Sequence, residues 1–260
     1  MNNNLRVEVS KDNHFLYFKV NGRQPKDYVA PQVIQRMTFD QWLEKAVRAD
    51  VEKMEATEEH VYMTMGTGSN RESNIMISSN FITIAKFVFI KYCHLCTLEA
   101  FFMKDLAIFS TKTNNFWVTN VNKNKGIQCR LGMRGVIAES HYDAGKNMVA
   151  MLKGAKRYIL NPPEACPYLH IISSTKHPSY RHSTVDWSNL SVAREQQFEK
   201  AKAIETILKQ GEVLYIPSFW FHYIVSLQYS IQCNTRSGSP KNMVGEDKIQ
   251  KCYAMHPYDS

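Results

Sequence analysis

Residues 141–161, HYDAGKNMVAMLKGAKRYILN, read as an extended entry at His141, a strand through NMVAML, a turn at Gly154 and a second strand through RYILN. The apolar runs are too short for helices and are bounded by Gly, Asn and Lys, which marks strands. Working outward, the same pattern recurs on both sides. GIQCRLGM (126–133), FWVTNV (116–121) and LAIFS (106–110) precede it, and AIETIL (203–208), EVLYIP (212–217) and YSIQCN (229–234) follow. Many short strands at this spacing predict a mainly β fold, closed or sandwiched and antiparallel.

Toward the amino terminus the pattern differs. Val7 and Val9 alternate, as do Phe15 and Tyr17 in FLYFKV, and Asn21-Gly22 follows, which predicts a short hairpin. Thr38 and Gln41 form a capping box for a helix over TFDQWLEKAVRADVEKM, with Phe39, Trp42, Leu43 and Val47 as its apolar face. A second helix is expected within SNLSVAREQQFEKAK (188–202).

With 260 residues the chain can bury a full core in one large domain. Hydrophobic residues make up 44% and charged residues 22%, which excludes disordered, collagen-like and coiled-coil classes. Six cysteines at 93, 96, 129, 166, 233 and 252 are few and scattered, so no disulfide framework is expected and a reducing compartment is. MNNNLRVEVSKD lacks the apolar stretch of a secretory signal, so the expected location is cytoplasmic, nuclear or both. The net charge is +8, and between Lys123 and Arg157 eight basic residues face two acids, a strip suited to an anionic partner.

Residues 73–103, SNIMISSNFITIAKFVFIKYCHLCTLEAFFM, stand apart in composition. Lys86, Lys91, His94 and Glu99 interrupt the apolar run, so no membrane span is expected. Cys93 and Cys96 resemble half a zinc site but lack a second ligand pair nearby, and read better as buried apolar cysteines. The segment divides the chain into residues 1–72, strands and a helix packing on the barrel; 73–103, a genuine insertion or a translated intron; and 104–260, the catalytic core.

His141-Tyr142-Asp143 brings an imidazole and a carboxylate to one face, because side chains alternate along an extended chain. If His222 in GEVLYIPSFWFHYIVS lies on a neighbouring strand, two His and one carboxylate form the facial triad of non-haem Fe(II) oxygenases. Lys156 follows His141 by fifteen residues and would meet the distal carboxylate of a chelating 2-oxo diacid.

HYDAGKNMVAMLKGAKRYILNPP, HPSYRHSTVDWSN and GEVLYIPSFWFHYIVSLQYSIQCNTRSGSP together resemble the JmjC, cupin-type 2-oxoglutarate oxygenases. Within them they are most similar to the asparaginyl hydroxylase branch that acts on hypoxia-inducible factor. The resemblance covers about residues 106–240 and implies a double-stranded β-helix, or jelly-roll barrel, with flanking helices. It implies Fe(II) held by His141, Asp143 and His222, with 2-oxoglutarate anchored by Lys156 and O2 as co-reactant. Asn147 and Asn234 match polar residues of the cosubstrate pocket, and Tyr62 falls where the family has a tyrosine that hydrogen-bonds 2-oxoglutarate. Trp220, Arg181 and His177 fall on the substrate side, although Trp220 also reads as barrel packing. Ala138 stands where the asparaginyl hydroxylases have a threonine that helps hold the cosubstrate, so weaker binding or another donor is expected.

The implied activity is hydroxylation of a protein side chain, Asn, Asp or His, with release of succinate and carbon dioxide. N-methyl-lysine demethylation and tRNA-base hydroxylation would use the same iron centre, and a catalytically silent cupin is the alternative of another class. A protein substrate is the expected partner, with nucleic acid second and the oligomeric state open. The chain ends 26 residues after Asn234, so pairing through long carboxy-terminal helices is not expected.

Overall fold

The computed structural model describes residues 5–18, 28–66, 127–187, 197–237 and 244–255. The Asn21-Gly22 turn, the strands expected at 106–110 and 116–121, residues 73–103 and most of the helix expected at 188–202 lie outside them. From that last segment, Phe198–Lys200 form a short 3-10 turn.

Among the described residues twelve strands form two sheets. The larger contains β10 (Val213–Ile216), β7 (Lys146–Lys153), β12 (Ser230–Ser237), β5 (Ile127–Gly132), β4 (His60–Gly66), β1 (Leu5–Ser10) and β3 (Val33–Met37), in that spatial order. The smaller contains β2 (His14–Phe15), β6 (Ile137–Tyr142), β11 (Phe221–Ser226), β8 (Ala155–Asn161) and β9 (Ile204–Lys209). Pairing is antiparallel except between β2 and β6. This mostly β, cupin-like arrangement agrees with the sequence reading, and the expected runs from 126 onward appear as β5, β7, β8, β9, β10 and β12.

β1 pairs with β3 and β4 in one sheet, whereas Phe15 lies in β2, beside β6 in the other. The two alternating segments therefore serve different sheets, and the hairpin expected about Asn21-Gly22 lies outside the described residues.

Helix α1 (Phe39–Glu52) carries the expected capping box. Thr38 Oγ1 accepts from the Gln41 amide at 3.2 Å, and the Thr38 amide donates to Gln41 Oε1 at 2.8 Å. Its buried face is Phe39, Trp42, Ala46 and Ala49, with Leu43 half-buried and Val47 exposed. These four fall on one stripe at i, i+3, i+7 and i+10, and Val47 lies outside it. Helix α2 (Glu246–Met255) buries Ile249 and Cys252 against the 3-10 helix Pro163–Tyr168.

Cysteine is where the sequence reading fails outright. Cys129 and Cys233 form one disulfide and Cys166 and Cys252 another, across 104 and 86 residues of chain. Cys129 and Cys233 face each other on the neighbouring strands β5 and β12, a proximity that linear spacing could not reveal. The inference from cysteine spacing to a reducing compartment therefore loses its ground. Among the described residues no helix is long and apolar enough to cross a membrane.

The basic strip also changes character. Lys156 is buried, Arg130 is half-buried with its Nη1 fully enclosed, and Arg157 forms a bidentate pair with Glu205 at 2.7 and 2.8 Å. Arg134 Nη1 donates to the Leu227 carbonyl at 3.0 Å. Of the strip's described charge, Lys156 and Arg130 thus turn into the fold, while Arg157 is paired at the surface.

Candidate metal centre

Strands β6 and β11 are neighbours, and their register sets His141 directly opposite His222, with ring centroids 4.3 Å apart. Asp143 follows immediately after β6. One ligand atom from each of His141, Asp143 and His222 lies within 4.8 Å of the others, and all three residues are buried. Two imidazoles and one carboxylate on a single side are the donor set of a facial triad, so these residues can hold a divalent metal such as Fe(II) and leave positions open.

Local hydrogen bonds settle which nitrogen each imidazole offers. His141 Nδ1 donates to the Glu139 carbonyl at 2.7 Å, and His222 Nδ1 to the Trp220 carbonyl at 3.1 Å. Both Nε2 lone pairs are then free for a metal. Burial pushes both imidazoles below their ordinary pKa, far below for His141, where the His222 and His182 charges add to the effect. Neutral imidazole is the form a metal requires.

Burial alone would raise Asp143, but Arg236, His222 and Arg181 outweigh it and hold the carboxyl below its usual range. Arg236 Nη2 lies 2.9 Å from Oδ2 and Arg181 Nη1 3.7 Å from Oδ1. Asn147 Nδ2 donates to Asp143 Oδ2 at 3.3 Å, and Asn234 Nδ2 donates to Asn147 Oδ1 at 3.0 Å. The two asparagines therefore form a relay from β12 through β7 that orients the carboxylate.

Lys156 enters from β8, the strand on the other side of β11, and is 1% exposed. Its Nζ lies 5.2 Å from the centroid of the Tyr62 ring. No carboxylate of the described residues pairs with it. Burial, with Arg130 adding to it, pushes its pKa down to about 7. Tyr62 is buried, and its hydroxyl accepts from Tyr17 at 3.4 Å. A Cβ on Gly132 would come within 2.5 Å of Ser226 Oγ, so the close approach there requires glycine, while its distances to Tyr62 Cε2 and Lys156 Nζ, 3.4 and 3.5 Å, would be ordinary contacts. A buried ammonium without a counter-charge among the described residues suits an anionic ligand.

The substrate-side residues divide. Arg181 is at the centre, donating to the Tyr142 carbonyl at 3.2 Å as well as facing Asp143. His177 is remote from the triad in its contacts: its Nδ1 accepts from the Ser179 amide at 3.1 Å and its ring meets Tyr28 edge-on. Trp220 is half-buried against the barrel cluster of Ala138, Tyr158 and Ile224.

Sequence reasoning missed Arg236, His182, Tyr17 and Arg130. Arg236 lay within the quoted SIQCNTR motif, and only the pairing of β12 with β7 brings it to Asp143. His182 stacks on His141 with centroids 4.9 Å apart, its Nδ1 bonded to the Ser179 carbonyl and its Nε2 buried without a partner. Tyr17 contacts His141, His182 and Arg130. No linear signal distinguished it.

A jelly-roll barrel with two histidines and an aspartate converging between its sheets defines a cupin-type metal-site protein. The chain belongs to the cupin-like domain family, whose profile matches residues 8–235. It is 32% identical over 105 residues to tRNA wybutosine-synthesizing protein 5 of Gallus gallus, covering 40% of this chain and 31% of that protein. The Homo sapiens protein of the same name is 29% identical over 105 residues, with 40% and 31% covered. HSPB1-associated protein 1 of Rattus norvegicus is 35% identical over 98 residues, 37% of this chain and 20% of that protein. The aligned segments thus span less than a third of these relatives. A solved oxalate decarboxylase variant of Bacillus subtilis overlaps 44% of this chain and 21% of its own, at 16% identity and a TM-score of 0.27, too slight to argue from.

Proposed function

We propose that the protein is an Fe(II)- and 2-oxoglutarate-dependent oxygenase that hydroxylates a macromolecule, with succinate and carbon dioxide as by-products. The observation that carries this reading is the buried His141, Asp143 and His222 triad in the same barrel as the unpaired Lys156. When bound, the metal and 2-oxoglutarate would supply the oxygen-activating chemistry that side chains lack. The chain's own part is to bind, orient and exclude. His141, Asp143 and His222 would hold the metal, and Asn147 and Asn234 keep Asp143 aimed. Lys156 would neutralise the distal carboxylate of 2-oxoglutarate beside Tyr62. Burial of the triad keeps bulk water from competing.

A protein side chain, Asn, Asp or His, is the first substrate reading. It rests on the resemblance to asparaginyl hydroxylases and on Arg181, which can meet a polar side chain beside Asp143, with Trp220 and His177 further out. A tRNA nucleoside is the second, favoured by relatives whose name ties them to tRNA. The buried portion of the basic strip takes support away from it. Cytoplasm and nucleus are the proposed locations, against which the two disulfides count.

The test is succinate formation from 2-oxoglutarate by Fe(II)-reconstituted protein, with peptide mixtures and with total tRNA supplied separately. Turnover is expected with one of the two and none with His141→Ala. Correctly folded protein that binds no divalent metal would point instead to a silent cupin.

A further inference from the structure

The barrel holds a second cation whose function the metal centre does not explain. Arg130 lies on β5, opposite Thr64 of β4 and Gln232 of β12. Its Nε donates to the Tyr17 hydroxyl at 3.3 Å and its Nη2 to Gln128 Oε1 at 3.3 Å. Its Nη1 is buried with no partner. A guanidinium cannot shed its charge at physiological pH, so an enclosed, unsatisfied N–H on it carries a desolvation cost with nothing returned.

Arg130 and Lys156 are linked through two tyrosines, and Arg130 is near enough to act on the Lys156 charge. The Tyr17 hydroxyl touches Arg130 Nε on one side and the Tyr62 hydroxyl on the other, at 3.3 and 3.4 Å, and Lys156 sits over the Tyr62 ring. Among the described residues no carboxylate is within ion-pairing distance of either cation. Glu8 is near enough for Arg130 to feel, but it pairs with Arg6 at 3.3 Å. The repulsion is expressed on Lys156, which burial and then Arg130 make easier to deprotonate. Two like charges sharing a dry space without a counter-ion are stable only provisionally, and an anion that engages both relieves the strain on each.

We propose that Arg130 is a second anion-binding residue of the cosubstrate pocket, its free Nη1–H joining Lys156 in gripping the distal carboxylate of a short dicarboxylic acid. The inference rests on the oxygenase reading for the identity of that acid as 2-oxoglutarate, but the two-cation seat can be tested without it.

The experiment is calorimetric titration of glutarate into metal-free protein, and of 2-oxoglutarate and 2-oxobutyrate into Mn(II)-loaded protein. Glutarate has both carboxylates but no chelating keto group, and 2-oxobutyrate chelates but lacks the distal carboxylate. Arg130→Gln is expected to weaken glutarate and 2-oxoglutarate by at least about tenfold, the worth of a charge-assisted hydrogen bond, while 2-oxobutyrate stays within about twofold. Arg130→Lys, which keeps the charge but loses the fork, is expected to fall between and serves as the decisive variant if Arg130→Gln does not fold. Unchanged glutarate and 2-oxoglutarate affinities, or an equal loss for 2-oxobutyrate, would overturn the assignment. So would a wild-type protein that binds neither diacid. Glutarate binding that depends on Arg130 in a protein that makes no succinate would support the anion seat while removing the oxygenase reading.

Discussion

Arg236 and Asp143 meet at 2.9 Å on Oδ2, the same carboxylate oxygen that faces His222 Nε2 at 3.8 Å. The guanidinium therefore occupies part of the electrostatic role that a dication would take. Removing it should act in opposite directions on the two states. Arg236→Gln leaves a buried carboxylate short of its main partner, and metal-free stability should fall by about 1–3 kcal/mol, the side chain being partly exposed. Affinity for Mn(II) should rise, since one competing positive charge is gone. Thermal melts in chelator and calorimetric metal titration read the two effects. A parallel fall in both would show that Arg236 supports the metal rather than opposing it.

The triad predicts a metal-dependent stability that is lost one ligand at a time. At about a hundredfold excess of metal over its dissociation constant, the wild-type protein should gain roughly 2.7 kcal/mol. His141→Ala and His222→Ala should each abolish the gain, and chelator should reverse it in the parent. A shift that survives His222→Ala would place the metal elsewhere.

Lys156 gives the pH dependence its sign. Its pKa is about 7 in the folded protein against 10.5 for an ordinary lysine. Between those values the unfolded chain holds the extra proton, so stability of the ligand-free protein should rise with pH across that window. Below it, both states are protonated and the cost of burying the charge is felt in full. Lys156→Met should flatten the rise and stabilise the protein at about pH 6.5 more than at about pH 9, as urea midpoints would show. An anion bound there restores the proton, so 2-oxoglutarate affinity should weaken as the pH climbs above 7. Equal affinity at both ends of the window would separate Lys156 from the ligand.

The disulfide between Cys166 and Cys252 fastens α2 to the 3-10 helix beside Tyr142, whose hydroxyl also meets that of Tyr253 at 2.8 Å. It closes a loop of 86 residues, for which the chain-entropy argument sets a ceiling of about 4–5 kcal/mol. Cys252→Ser should cost at least about 2 kcal/mol in denaturant under oxidising conditions, and in a background that already lacks the Cys129–Cys233 bond reductant should cost that variant nothing further. Thiol counting on the unfolded parent, with and without reductant, checks the pairing itself.

The strands from residue 126 onward were legible because each is a short apolar run closed by Gly, Pro, Asn or Lys, and the capping box fixed where α1 begins. The triad was legible for a related reason: a period-two spacing in His141-Tyr142-Asp143 requires only an extended backbone, and His222 sat in an unmistakable strand. What escaped depends on which strands become neighbours. Arg236 reaches Asp143 only through the register of β12 on β7, and Cys129 finds Cys233 only because β5 and β12 pair. Val47 was misplaced because the buried stripe runs through Ala46 and Ala49, and alanine carries little of the apolar signal by which a helix face is recognised in a sequence. Arg130 was counted as surface charge, since a sequence shows how many cations it has and not which of them the fold encloses.

Gly154 alone separates β7 from β8, and with it one sheet from the other. It has φ +78°, and a Cβ there would come within 2.3 Å of the Tyr229 carbonyl oxygen. A side chain could enter only by pushing β8 outward, and Lys156 is the second residue beyond the corner. Lys156 stands opposite Ser226, and Leu160 opposite His222, in the pairing of β8 with β11, so the register of those two strands sets the distance from the triad to the ammonium. Gly154 is the stop against which that register is held: a strand that cannot slide at its first residue cannot slide at its second.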